Sequence, residues 1–268
     1  IYPRMMGARV ELLELTPALG FDVDAWCQAL ARGPKIAMLA NPSNPVGCMF
    51  SAGDFARLLD ATPAQNDRQQ IPSVVWNVPQ IADRQKALAG SGPSPLPQLI
   101  HGIEKLNQAG ASHIAIPCNT AHFWFAAVQK AVTIPVLHII DSVAEHLLQA
   151  QKYEAQEIML FATEATIRTG LYQQRLSQKG LAFLTPQPEE QWLISQAIAE
   201  VKSGHINGSP CLERLREMMA CYSRSGVKAF IAGCTEIPLL FAKVQGDFKT
   251  VDPTLLLAQR AVQLARKL

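Results

Sequence analysis

Two cysteines stand in matched surroundings. Cys118 lies in Ile-Pro-Cys-Asn-Thr (Ile116–Thr120), and Cys234 lies in Ala-Gly-Cys-Thr-Glu (Ala232–Glu236). Each closes a short apolar run, and threonine follows within two residues. A thiol suits proton traffic near neutrality, because its ordinary pKa of about 8.5 keeps thiol and thiolate both accessible. Two thiols facing one cleft could remove a proton from one side of a carbon and return one on the other. Free cysteine is more often a small buried hydrophobe. The bland alternative is therefore two buried strand-end thiols, and the matched setting weighs against it.

The elements that would position the pair also repeat. A helical pattern (Ile100–Ala109; Leu212–Tyr222) leads to a glycine turn (Gly110; Gly226), then to an apolar strand (His113–Ile116; Ala229–Ala232) and the cysteine. Further short apolar runs read as strands: Ile36–Ala40, Ser73–Asn77, Val136–Ile140, Glu157–Phe161 and Leu181–Leu184. Helical stretches such as Ala52–Asp60, Ile194–Ser203 and Thr254–Lys267 alternate with them. That rhythm predicts βαβ units and parallel sheets covered by helices. Lys35–Gly47 and Glu157–Gly170 both read as strand, polar loop and helix start, so the unit occurs twice. The expected fold is α/β, with two pseudo-symmetric halves, each a mostly parallel sheet flanked by helices, and the active site in the cleft between them. Ligands of open α/β sheets bind beyond the carboxyl ends of strands, where both cysteines would stand. The Gly-, Pro- and Ser-rich stretch Gln85–Pro97 reads as a loop near the cleft.

Composition narrows the class. The chain has 268 residues, 49% of them hydrophobic and 17% charged, which fits a globular protein able to bury a sizeable core. A net charge of +2 without a dense basic run argues against nucleic acid or acidic lipid as a partner. No apolar run reaches the roughly 18–20 residues that span a bilayer. The opening residues carry no apolar signal segment, and none of the six cysteines forms a CxxC pair, so a reducing cytoplasm is the expected setting. Cys27, Cys211 and Cys221 fall in helical patterns and read as packing. His101, His113, His138, His146 and His205 show no metal-ligand spacing, so no metal is expected.

From about Asp54 onward the chain resembles the cofactor-independent aspartate/glutamate racemase family, in its broad-specificity branch. Val78–Arg84, Ser91–Pro97, Gly110–Trp124, Ala162–Tyr172 and Ile231–Leu239 carry the resemblance, in the family's order. It implies an isomerase that works without a cofactor on a small amino acid, with Cys118 and Cys234 as two bases. Asn119, Thr120, Thr163 and Thr235 match positions used around the α-carboxylate and amino group. Arg84 matches an arginine that meets a side-chain carboxylate, a role suited to a bidentate guanidinium. From the residues alone, Arg84 could instead form a surface pair with Asp83, and Thr166 or Thr169 could cap the following helix. Glu236 could meet the substrate ammonium or hold its loop, and His122 could orient the loop. Family members are often dimers, so a homodimer is an option.

Two departures bear on function. Racemases of this family open on a glycine-rich loop of the Gly-Gly-Met-Gly kind, but here Ile36–Ala40 runs into Asn-Pro-Ser-Asn-Pro-Val-Gly (Asn41–Gly47). With Tyr2-Pro3-Arg4 and Phe21–Asp24, that stretch resembles fold-type I PLP aminotransferases over about fifty residues. No serine-lysine motif for a Schiff base follows, so PLP is not expected to bind. The chain reads as a fusion joined between Gly47 and Asp54. Its expected parts are an atypical segment at 1–34, one half at 35–140 joined by the C-terminal helix 254–268, and a second half at 141–253. A catalytically inactive racemase relic acting as a ligand-binding or structural protein is the alternative. Second, some aspartate-specific members carry lysine where this chain has Trp192, which points toward broader or less acidic substrates.

Overall fold

A computed structural model describes residues 36–40, 71–78, 80–150, 153–154, 156–203, 209–244 and 246–266. The loop Asn41–Gly47, the stretch Ala52–Asp60, Cys27 and Cys48 lie outside the described residues.

Among the described residues, seven strands form two all-parallel sheets. The first contains β1 (Ile36–Ala40), β2 (Ser73–Asn77), β3 (Ile114–Ala115) and β4 (Val136–Leu137), in the order β2-β1-β3-β4. The second contains β5 (Ile158–Ala162), β6 (Ala229–Gly233) and β7 (Thr250–Val251), in the order β5-β6-β7. Leu184 adds a single parallel bridge to Met159, so Leu181–Leu184 is not a full strand. Each cysteine follows an inner strand: β3 lies between β1 and β4, and β6 lies between β5 and β7. The carboxyl ends of inner strands are thus where both thiols emerge. Parallel strands buried on both faces read as continuous apolar runs, and β5 and β6 are buried at every position.

Helices cover the sheets in three apolar layers. On the first sheet, α2 (Leu96–Gln108) buries Leu99, Ile103 and Leu106 beside Trp76, Ile114 and Val136. On one face of the second sheet, α7 (Pro188–Lys202) and α8 (Pro210–Arg224) pack Leu193, Ile194, Leu215 and Met219 against Phe161 and Phe230. The third layer joins the sheets. There α4 (Ile139–Ala150), α6 (Leu171–Ser177) and α10 (Pro253–Ala265) share one cluster that takes in Ala115 and Leu137 from the first sheet and Ile158, Leu160 and Ile231 from the second.

Two further sequence expectations change. Val136–Ile140 is not one strand, because α4 already begins at Ile139 after the two-residue β4. The apolar run VLHII fits a strand or a buried helix start equally well. Gln85–Pro97 is not simply a loop. Asp83 accepts hydrogen bonds from Gln85 N at 2.7 Å and Lys86 N at 3.0 Å, which caps the short helix α1 (Arg84–Leu88).

Gly233 is fixed by close approach of strands. A Cβ there would stand 2.8 Å from Leu160 Cδ1 and 2.9 Å from Ala162 Cβ. Only glycine lets β6 lie this close to β5 in the residue before Cys234.

Candidate active site

One cavity brings the sequence candidates together. Its lining includes Arg84, Cys118, Asn119, Thr120, Thr163, Cys234 and Thr235. These come from α1, the segments after β3 and β6, and the end of β5. The lining also contains Lys202, at the end of α7, which the cysteine-centred motifs do not reach. Trp192, on the same helix, is 60% exposed and is not part of the lining.

Arg84 is held rather than solvated. Gln98 on α2 donates to Gln80 O at 3.0 Å and accepts from Ala82 N at 2.7 Å, fastening the segment ahead of Arg84. The Asp83 carboxylate is engaged by backbone N–H groups, while Arg84 is buried and donates from Nη1 to Ala82 O at 3.2 Å.

Cys118 leaves β3 through a tight turn, its N–H donating to Ile116 O at 2.8 Å. A short 3-10 helix follows at Thr120–Trp124. Its His122 is fully buried and bonds back to the cysteine loop: Nδ1 donates to Cys118 O at 2.8 Å, and Nε2 accepts from Ile139 N at 3.1 Å. Nε2 also lies 3.4 Å from Leu137 O, but the 3.1 Å bond from Ile139 N is the shorter contact, which makes Nε2 an acceptor and leaves the ring neutral with its proton on Nδ1. His122 therefore ties Cys118 to the start of α4. His138 Nδ1 accepts from the next N–H of that helix, Ile140, at 3.2 Å. Burial lowers the pKa of His122 to about 4, against the raising effect of its bond to Cys118.

A fully buried neutral imidazole makes stability depend on acid. The folded pKa of His122 lies below the unfolded value, so its contribution is present above about pH 6.5 and is lost as pH falls toward 4. A shift of this size is worth about 3 kcal/mol by pH 4. Denaturant unfolding at pH 7 and pH 4 should show a loss at least that large. His122→Asn should remove that part of the pH dependence. An unchanged pH slope in the variant would contradict this account.

The second cysteine sits in a different environment. Cys234 is buried and its thiol donates to Glu236 Oε2 at 2.8 Å; Thr235 Oγ1 donates to the same oxygen at 3.0 Å. Burial pushes the Cys234 thiol well above its ordinary range; the Glu236 carboxylate adds to the rise and Lys202 opposes it. Cys234 is thus protonated at rest.

Threonine hydroxyls link the segments from the two sheets. Thr120 Oγ1 lies 2.9 Å from Thr166 Oγ1, which lies 3.0 Å from Thr163 Oγ1. Thr163, not Thr166, is the N-cap of α5 (Glu164–Arg168), accepting from Thr166 N. Thr169 occupies the C-cap. Tyr172 donates to Asn119 Oδ1 at 2.6 Å across 53 residues of sequence.

Residues 51–261 match the model of the Asp/Glu/Hydantoin racemase family. The chain belongs to this family. A solved structure titled Picrophilus torridus aspartate racemase shares 25% identity and a TM-score of 0.71 with this racemase-family chain, covering 87% of it and 95% of the neighbour. The broad specificity amino-acid racemase RacX of Bacillus subtilis is 27% identical over 166 residues, which are 61% of this chain and 69% of RacX. Both sets of relatives support an isomerase with racemase activity. A separate likeness joins the chain to histidinol-phosphate aminotransferase 3 of Rhizobium meliloti, 38% identical over 60 residues, or 22% of this chain and 16% of that enzyme. So small a share of the aminotransferase carries none of its activity over. The racemase match begins at residue 51, inside the window in which the sequence changes character.

Among the described residues, no helix is long and apolar enough to cross a membrane. Nor do three or more His, Cys, Asp or Glu side chains gather there as a metal site.

Proposed function

We propose that this chain racemises a small α-amino acid without a cofactor, using Cys118 and Cys234 on opposite faces of Cα. The carrying observation is that both thiols line one cavity together with Arg84, Asn119, Thr120, Thr163 and Thr235. In one direction the Cα–H bond breaks as the Cys118 thiolate takes the proton. The carbanion then takes the proton from the Cys234 thiol. No electrons are gained or lost overall. In the other direction the roles exchange, and Cys234 must first lose its proton. Glu236, already bonded to that thiol, is the group positioned to hold it.

Asn119, Thr120, Thr163 and Thr235 surround the α-carboxylate and amino group in this reading. Charge developing on the carboxylate side of the carbanion is best met by fixed donors in a site shielded from water. Arg84 and Lys202 add two cations to a wall that also holds Asp83 and Glu236. Those carboxylates are engaged by backbone N–H groups and by Cys234 and Thr235, which leaves the cations to favour an acidic side chain in this reading. Trp192 is exposed and stands outside that wall, so its side chain adds no contact to the substrate in this reading. The substituted loop Asn41–Gly47 weakens turnover, and its extreme form is a binding relic.

The test is conversion of pure L-amino acids to the D-form by purified protein with no added PLP, across acidic, neutral and basic side chains and a hydantoin. Conversion of aspartate or glutamate is expected to lead. Failure to act on any amino acid would remove the reading. Glu236→Gln deletes the carboxylate that helps raise the Cys234 thiol. In that variant, alkylation of Cys234 should set in at lower pH than in the parent. An unmoved alkylation profile would count against the role of Glu236.

A further inference from the structure

Asn119 is 2% exposed, and its two amide atoms have unequal surroundings. Oδ1 accepts the Tyr172 hydroxyl at 2.6 Å. Nδ2 is buried and has no hydrogen-bond partner among the described residues. A buried donor left unpaired is costly, so an acceptor that reaches Asn119 Nδ2 relieves that cost. Asn119 lines the same cavity as the two thiols, so an acceptor that enters the cavity can meet this donor.

The amide could in principle turn over, since its two ends have nearly the same shape. Tyr172 decides the matter. It is fully buried at the start of α6 and packs in the apolar layer that joins the two sheets. Asn119 Oδ1 accepts its hydroxyl proton. Turning the amide would place N–H against O–H and strand the phenol proton in an apolar core. Burial also keeps this phenol neutral well above its ordinary range, so it stays a donor at any pH at which the protein works.

We infer that Tyr172 is a positioning residue that locks the Asn119 amide with its N–H groups toward the cavity, making Asn119 Nδ2 a donor to a substrate carboxylate oxygen. The inference deepens the proposed racemase reading, and rests on it only for the identity of the ligand as an α-amino acid. A carboxylate is the fitting ligand because it offers acceptors only and its negative charge strengthens the bond. The lock also couples the sheets. Tyr172 belongs to an element that follows β5, while Asn119 belongs to the loop after β3, so the donor is aimed only when the two are docked.

The test is binding of L-aspartate by calorimetry to four full-length proteins: parent, Tyr172→Phe, Asn119→Ala and the double variant. Phenylalanine keeps the ring that packs the core and removes only the hydroxyl. Tyr172→Phe should weaken binding about tenfold, and Asn119→Ala by at least as much. The double variant should bind within about twofold of Asn119→Ala, because the tyrosine acts only through the amide. Thermal unfolding of each variant should show that the fold survives. Unchanged affinity in Tyr172→Phe, or losses that multiply in the double variant, would overturn the lock. So would a parent protein that binds no L-aspartate at millimolar concentration. If the parent binds L-aspartate and the cycle behaves as stated but no Cα exchange occurs, the lock stands and the two-thiol reaction falls.

Discussion

Cys118→Ser and Cys234→Ser should each lower racemisation by about a hundredfold to ten-thousandfold, the range that one positioned acid or base contributes. Serine nearly matches cysteine in shape, but its hydroxyl holds its proton far more tightly, so it makes a poor base near neutrality. Binding should change little, because the carboxylate donors and Arg84 remain. The two losses should not multiply in the double variant, since the reaction fails once either face lacks its group. Steady-state rates in both directions, with affinity measured separately, read this out. A serine variant of either cysteine with near-parent turnover would show that thiol to be packing rather than chemistry. Cys211 offers a control. It is also buried and also touches a carboxylate, Glu200, at 3.4 Å, but it is absent from the cavity lining. Cys211→Ser should leave the rate unchanged.

Exchanging Asn41–Gly47 for a Gly-Gly-Met-Gly loop should raise turnover about tenfold or more. Ala40 pairs with Asn77 at the carboxyl end of β1, and β1 runs parallel to β3, whose chain continues to Cys118. The carboxyl end of β1 therefore lies at the same edge of the sheet as the segment that carries Cys118 to the cavity. Pro42 and Pro45 have no N–H to offer a carboxylate, and their rings oppose the close backbone approach that glycine allows. One hydrogen bond to a charged group is worth about 1.5–3 kcal/mol, enough for a tenfold effect or more. Equal turnover in the parent and the exchanged protein would show that this loop does not limit the reaction. Turnover only in the exchanged protein would make the parent a relic that binds without reacting.

Much of this arrangement is legible in the residues. Ile36–Ala40 and Ser73–Asn77 are strands over the bounds that their apolar character suggests. The cysteine motifs carry the strand-to-loop layout, since a parallel sheet buries continuous apolar runs and leaves polar residues at the carboxyl ends. What escapes depends on length or distance. β7 has only Thr250 and Val251, too few to show a period. The helix Arg84–Leu88 hides in a stretch whose glycines and prolines signal a loop, although Asp83 ahead of it is a capping residue. Lys202 reaches the cavity from the far end of a helix whose pattern otherwise marks packing. The Tyr172–Asn119 bond joins two segments that only the docking of the sheets brings together. Local sequence has no signal for such a pair.

The most direct test of the two-thiol claim is the position of label early in the reaction in D2O. An L-amino acid is converted to a few per cent, and deuterium at Cα is measured separately in the remaining L-form and in the new D-form. Two separate groups predict one deuterium in nearly every D-molecule and almost none in the L-pool, because the proton returned comes from the opposite thiol after exchange with solvent. D-product that keeps its original hydrogen, or L-substrate labelled as fast as product, would mean that one group serves both faces and would contradict the account.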